Sequence, residues 1–326
     1  MDDFSKVPKG ELHVHFNGAL PPDVVDRIIL ENNSTERLTD INYDRSKLLV
    51  NKTSSGLVEY LKPWDFLRLI PINKNQLHIM IEAFFIAMSE SNIKFVEVRH
   101  TVIHLAKNCG VTYLEALDWL LEGLFIYGAK YRITAGLIIT IGRSEQSCTH
   151  IKCAITNIPH SNFRNLIVGI DLAGDENCEL DKNIYALFKK CKYDLGLGIT
   201  IHAGETGNVN NIREAITHFH ADRIGHGTCA KNDKYILEML SKHSICVEVC
   251  PLSNVMTGAT TLANGHSLKE FYNFEVPFVV CSDNPGIQET SLTDDYIYCN
   301  KEVKIPEFPK KMYEYQKQFT FIKGIL

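Results

Sequence analysis

The stretch Gly10-Glu11-Leu12-His13-Val14-His15-Phe16 reads as a strand, and it sets the fold question for the whole chain. Alternate residues of a strand face the same side, so His13 and His15 aim both imidazoles at one point, which is how a metal site begins. By itself the spacing says little, because a chain with 13 histidines offers such pairs by chance. The other ligands have to come from elsewhere.

Outward from it, seven further apolar segments rich in β-branched residues recur at roughly 93–100, 133–140, 166–174, 197–205, 223–228, 245–251 and 276–283. Amphipathic stretches lie between them. Between residues 75 and 91, for example, Leu77, Met80, Ile81, Phe84, Phe85 and Met88 fall three or four apart and form one apolar helical stripe. Strand and helix in alternation imply an α/β fold with a parallel sheet. Eight such units predict a closed (β/α)8 barrel with extra helices, with an open doubly wound sheet as the rival.

The segment ends decide between the two. In order they read His-Val-His, Glu-Val-Arg-His, Thr-Ile-Gly, Asp-Leu-Ala-Gly-Asp, His-Ala-Gly-Glu, Gly-His-Gly-Thr, Cys-Pro-Leu-Ser-Asn and Ser-Asp-Asn-Pro. In a barrel all these C-terminal ends converge on one rim, where barrel enzymes keep their chemistry, whereas an open sheet spreads them along a line.

At 326 residues, 45% hydrophobic and 22% charged, the chain can bury one large core or two ordinary ones and shows no disordered character. A net charge of -5 speaks against a nucleic-acid or anionic-membrane surface and toward a small-molecule partner. The ten cysteines are scattered singly from Cys109 to Cys299 with no Cys-x-x-Cys, which reads as reduced core residues rather than a disulfide framework. No apolar run reaches the roughly 18 residues a membrane span needs, and the expected location is cytoplasmic. Oligomeric state is not legible.

No repeat, low-complexity tract or linker interrupts the pattern, so residues 1–326 read as one domain. The stretch of about 32–71 is long for one βα connection and carries Tyr60, Leu61, Trp64, Phe66 and Leu67 at helical spacing. It reads as a helical insertion, either an accessory helix packed on the barrel or a lid over the pocket.

Three other strand ends extend the constellation. The fifth closes on His202-Ala203-Gly204-Glu205, an imidazole and a carboxylate on one rim; alone, His202 reads more readily as a core residue. In Gly225-His226-Gly227 the flanking glycines admit a close approach to the ring. Asp283 emerges from an apolar strand and needs a partner for its charge, and a cation is the obvious one. Histidines and an aspartate from separate strands at one rim make a mixed nitrogen and oxygen site suited to zinc or a similar ion. By the same filter His218 and His220 precede the sixth strand and fall at the opposite face, while His78, His150, His160, His243 and His266 lie in helices or loops and receive no role. His100 and His104 follow the second strand and stay open.

Glu11-Leu12-His13-Val14-His15, residues 169–176 (Gly-Ile-Asp-Leu-Ala-Gly-Asp-Glu), His202-Ala203-Gly204-Glu205, Arg223-Ile224-Gly225-His226-Gly227, Cys250-Pro251-Leu252-Ser253-Asn254 and Ser282-Asp283-Asn284-Pro285 together resemble the ordered motifs of the adenosine deaminase family, within the metal-dependent hydrolase superfamily. The resemblance covers about residues 11–296. It implies one zinc ion per chain held by His13, His15, His202 and Asp283, with a water completing the shell. It also implies that Glu205 protonates N1 of a purine, that His226 orients and helps deprotonate the attacking water, and that Gly174 offers its backbone to N3. Tyr60, Leu61 and Trp64 would line the pocket roof. The implied reaction is hydrolysis of adenosine and 2′-deoxyadenosine to inosine and ammonia, in purine salvage.

The chain departs from the family pattern at two binding positions. Asn284 stands where a second Asp is usual, opposite N7, and an amide can donate there at any pH. Asn17 replaces an Asp that contacts the ribose 5′-hydroxyl, which removes a carboxylate that would repel a 5′-phosphate. A similar Asn-Gly pair occurs in N6-methyl-AMP deaminases, so that substrate, or another 6-aminopurine derivative, is the alternative. Gly225 speaks against the adenine deaminase branch, where an Asp is usual. A purine-binding relative without turnover is a third reading, opposed by the complete set of ligands and acid. Only about thirty residues follow Tyr296, room for a final helix or two and fewer than most relatives carry.

Overall fold

Parallel strands buried on both faces need nearly continuous apolar sequence, and each of the eight segments supplies it within a few residues of where the pattern puts it. The computed structural model describes residues 4–32, 43–260 and 265–325. Its strands are β1 (Lys9–His15), β2 (Ile93–His100), β3 (Thr134–Gly142), β4 (Ile167–Ala173), β5 (Gly198–Ala203), β6 (Arg223–His226), β7 (Cys246–Val249) and β8 (Phe278–Val280). They pair in sequence order, every neighbour parallel. Just past β8 the ring closes. The Asp283 N–H donates to the His13 carbonyl and the His15 N–H to the Asp283 carbonyl, both at 2.9 Å. The fold is a (β/α)8 barrel, not an open sheet.

Helices cover the outside. Lys74–Glu90 buries the predicted stripe of Leu77, Met80, Ile81, Phe84, Phe85 and Met88, and Tyr113–Tyr131 packs against it. Alternation along β1 and β2 sends Leu12, Val14, Val96 and Val98 outward to this layer and Glu11, His13, Glu97 and Arg99 into the barrel, all of them buried.

The lower end is shut by the last helix, Phe308–Phe319. Gln316 Oε1 accepts from the Gly10 N–H at 2.8 Å, and its Nε2 donates to the Val280 carbonyl at 3.1 Å, tying β1 to β8. Arg223 donates to the Phe319 carbonyl at 2.8 Å, and its guanidinium lies 3.7 Å above the Phe321 ring.

The insertion is less regular than its spacing predicts. Residues 33–42 of that stretch lie outside the described residues. Beyond them, Tyr60, Leu61, Trp64 and Leu67 sit on two one-turn helices, Leu57–Tyr60 and Trp64–Leu67, because Pro63 lacks the N–H that a continuous helix would use. The two turns lie over the mouth of the barrel, where Tyr60 and Leu67 are buried.

Candidate metal centre and active site

The parallel sheet delivers His13 and His15 from β1, His202 from β5 and Asp283 from the turn after β8 to one rim. One ligand atom from each lies within 4.8 Å of all the others. The geometry explains which atoms are free. His13 Nδ1 lies 2.8 Å from Glu248 Oε2, and His202 Nδ1 lies 2.9 Å from Asp171 Oδ1. A carboxylate can only accept, so each Nδ1 carries its ring's proton and each Nε2 presents a bare lone pair.

These nitrogens converge on Asp283. His15 and His202 bring their Nε2 atoms to 3.2 Å, and Asp283 Oδ1 stands 3.5 Å from His13 Nε2 and 3.4 Å from His15 Nε2. Both His13 Nε2 and Asp283 Oδ1 are buried without a hydrogen bond among the described residues. Buried polar atoms are ordinarily paired, so two converging buried acceptors left without a donor, beside two further imidazole nitrogens, call for a cation. Three imidazoles and a carboxylate fit zinc.

A frame of buried charge fixes this arrangement. Glu248 accepts from Arg99 and Arg223 as well as His13, and Asp171 faces Arg99 Nη1 at 3.3 Å. Burial works against both carboxylates, but the guanidiniums and histidines outweigh it and hold Glu248 and Asp171 below their ordinary range. Asp283 Oδ2 accepts from the Ser253 hydroxyl. Gly225 is needed for space, since a Cβ there would stand 3.1 Å from the His13 ring and 3.3 Å from His202 Cα. His226 and Asp283 sit in the left-handed region, with φ of 64° and 61°. Such backbone costs about 1–3 kcal/mol per residue and persists where the surroundings over-determine it.

Glu205 stands beside this centre on the turn after β5. Its backbone N–H and that of Gly204 each donate to the Glu176 carboxylate at 2.7 Å, which fixes the turn. Burial, then the negative charges of Asp283 and Glu176, push the Glu205 carboxyl well above its ordinary range. Its Oε1 has no hydrogen-bond partner among the described residues, and its Oε2 lies 3.8 Å from His226 Nε2. Burial first, and then His13, hold His226 well below the usual histidine range, so its ring is neutral.

A cavity of about 580 Å³ opens above these groups, lined by His15, Gly174, His202, Glu205, His226, Asp283 and Asn284 below and by Tyr60, Leu61 and Trp64 above. Gly174, with φ of 108°, adopts a backbone that favours glycine. Tyr60 reaches deeper than a roof residue: its hydroxyl accepts from Asn284 Nδ2 at 3.0 Å and Gln288 Nε2 at 2.6 Å. Asn17 is not on this wall but lines a smaller adjoining cavity of about 50 Å³, shared with His15, Trp64, Arg68 and His104. Its Nδ2 donates to the Leu67 carbonyl at 2.9 Å, leaving its own carbonyl oxygen unpaired among the described residues. His104 lies on both walls, and the buried His100 lines only the smaller cavity.

Strand-end reasoning does not reach Arg99, Asp171, Glu176, Glu248, Ser253 and Asn254, although most lie inside the quoted motifs. A charged residue within an apolar strand was a signal for Glu248 and Arg99, as it was for Asp283. His266 corrects the positional filter, which gave it no role: it is buried behind His226, with Asn254 between them.

Comparison with known proteins agrees with this centre. The adenosine deaminase family matches residues 8–309. An adenosine deaminase of Clostridium acetobutylicum is 31% identical over 299 residues, 89% of this chain and 86% of that protein. One from Vibrio vulnificus is 29% identical over 296 residues, covering 90% and 87%. Among solved structures, an Arabidopsis N6-mAMP deaminase superposes with a TM-score of 0.84 at 22% identity, covering 99% of this chain and 96% of its own. The adenine deaminase of Arthrobacter aurescens gives 0.84 at 21% identity, covering 98% and 95%. These two likenesses speak for the fold. The chain belongs to the adenosine deaminase family and is a metal-dependent deaminase.

Proposed function

We propose that this enzyme hydrolyses adenosine and 2′-deoxyadenosine to inosine or deoxyinosine and ammonia, with one zinc ion per chain held by His13, His15, His202 and Asp283. The observation that carries the chemistry is the pairing of a convergent His-His-His-Asp cluster, two of its ligand atoms unpartnered, with a neighbouring carboxyl kept protonated by burial. When bound, the metal supplies a Lewis acid that brings a coordinated water from a pKa of about 15.7 toward about 7. Glu205 donates its proton to N1 as electron density moves there from the attacked C6, and His226 orients the attacking oxygen. Gly174 meets N3 through its backbone, and Asn284 has a second N–H to offer N7. Residues 43–71 serve as a lid that excludes water from the cavity. All ten cysteines are free thiols, which accords with a cytoplasmic location. Among the described residues no helix is long and apolar enough to cross a membrane.

Asn17 bears on the choice between nucleoside and nucleotide. Because Leu67 presents a carbonyl, the Asn17 amide must turn its NH₂ there, and the atom left over is an acceptor. An acceptor suits the 5′-hydroxyl of a nucleoside and opposes a 5′-phosphate. Asn in place of Asp would thus keep an acceptor oxygen here while giving up the full negative charge. The second reading, deamination of N6-methyl-AMP, draws on Lys62 and Arg68 in the cavity lining, although Arg68 is paired with Asp65 at 2.6 Å.

Incubating the zinc-loaded protein with adenosine, adenine, AMP and N6-methyl-AMP, and following ammonia or methylamine, separates these readings. Adenosine should turn over fastest. Turnover of AMP or N6-methyl-AMP without adenosine would overturn the nucleoside assignment, and no turnover at all would leave a binding protein. Asn17→Asp should change adenosine turnover by less than about tenfold while removing any residual reaction of phosphate-bearing substrates.

A further inference from the structure

His266 enters the site from a loop, yet it is 3% exposed and forms the end of a buried row of three side chains. Its Nε2 lies 3.1 Å from Asn254 Oδ1, and Asn254 Nδ2 lies 3.0 Å from His226 Nδ1. Asn254 is itself fully buried, so its amide has no solvent in which to settle an ambiguous orientation.

We propose that His266 is a positioning residue that, through the Asn254 amide, places the His226 proton on Nε2, so that His226 faces the reacting atoms as a hydrogen-bond donor. The reasoning starts at the far end of the row. Burial holds His266 neutral, at about 3, so its ring has one N–H and one bare nitrogen. Its Nδ1 is buried with no hydrogen-bond partner among the described residues. A proton on Nδ1 would bury an orphan N–H, whereas a proton on Nε2 leaves only an unused lone pair there and gives the N–H an acceptor in Asn254 Oδ1. The proton therefore sits on His266 Nε2.

That choice propagates along the row. Asn254 must turn its carbonyl to His266 and its NH₂ to His226. His226 Nδ1 then accepts from Asn254 and is bare, so the ring carries its proton on Nε2, the nitrogen on the cavity side near Glu205. A neutral imidazole in that tautomer cannot take a proton at Nε2 from the attacking water. It can hold a lone pair of the attacking oxygen and point the other toward C6. This sharpens the role of His226 to orientation alone, and it rests on the deaminase reading for its kinetic consequence but not for the tautomer.

The test is histidine ¹⁵N NMR on the zinc-loaded protein at neutral pH, which distinguishes protonated from bare ring nitrogens, combined with steady-state kinetics on adenosine. In the unsubstituted enzyme His226 and His266 should both show a protonated Nε2 and a bare Nδ1. Asn254→Asp, whose carboxylate accepts from both rings, should move the His226 proton to Nδ1 and lower kcat about a hundredfold with KM changed less than about threefold. His266→Leu should give His226 a mixture of tautomers and about a tenfold lower kcat. His266→Gln keeps a donor for Asn254, and it should retain the His226 signature and bring kcat to within about threefold of the unsubstituted enzyme.

A proton on Nδ1 of His226 in the unsubstituted enzyme would overturn the proposal. An unchanged His226 tautomer in His266→Leu would do the same, and if that variant does not fold, the unsubstituted and His266→Gln spectra decide. Correct tautomers in a protein that deaminates no purine would refute the functional reading and leave this inference standing.

Discussion

Both ends of the barrel hold buried charges and use them in different ways. At the lower end Arg223 meets Glu97, Glu248 and the Phe319 carbonyl, while Glu97 also accepts from Thr320. At the upper rim His13 Nε2, Asp283 Oδ1 and Glu205 Oε1 point inward with no partner among the described residues. Burial is costly at both ends; the lower charges are paired within the protein, whereas at the rim one atom each of His13, Asp283 and Glu205 is left over. The rim is the end that a metal ion would complete.

Substitutions at the two ends should therefore separate activity from stability. The largest effect expected is from Glu205→Gln, which keeps the shape and removes the acid: kcat should fall about 10²- to 10⁴-fold with little change in melting temperature. The pH profile carries the sign of the same claim. A pKa raised by burial and by Asp283 and Glu176 means the protonated form persists to higher pH, so kcat/KM should stay level through neutrality and fall on the alkaline side. A loss of activity on acidification through neutral pH, with none on the alkaline side, would contradict this assignment.

Glu97→Ala is the mirror experiment at the other end. It strips Arg223 of one of its two carboxylates in a fully buried setting and should cost about 3–5 kcal/mol in urea denaturation, while folded molecules keep kcat within about threefold. Equal losses of stability and turnover from Glu97→Ala would erase the distinction between the ends. Smaller again is Asp171→Asn, where the amide no longer obliges His202 to carry its proton on Nδ1. Zinc affinity should weaken about 10- to 100-fold, measured by competition with a chelator.

Much of the rim was legible because strand ends are legible. Eight apolar segments place His13, His15, His202, His226 and Asp283 before any coordinates, and the family motifs add Glu205 and Gly174. What escaped is whatever depends on where a side chain turns or which distant residue it meets. The partner that orients Asn17 is Leu67, fifty residues further on and on a turn broken by Pro63, so sequence alone could count its lost charge but not its carbonyl. His266 follows no strand, yet its neighbours Gly265 and Ser267 bond to Lys231 and Thr228 just after β6. Glu248 and Arg99 were visible as charges in apolar strands, and the rule that found Asp283 applies to them equally.

The most direct test of the contrast between the two ends is a calorimetric titration of chelator-stripped protein with Zn²⁺, repeated on Asp283→Ala, His202→Ala and Glu97→Ala. One ion per chain should bind the unsubstituted protein and Glu97→Ala, and binding should be lost or weakened at least about a hundredfold in the two rim variants. Binding unchanged in Asp283→Ala and His202→Ala, or a stoichiometry other than one, would contradict a metal centre at this rim.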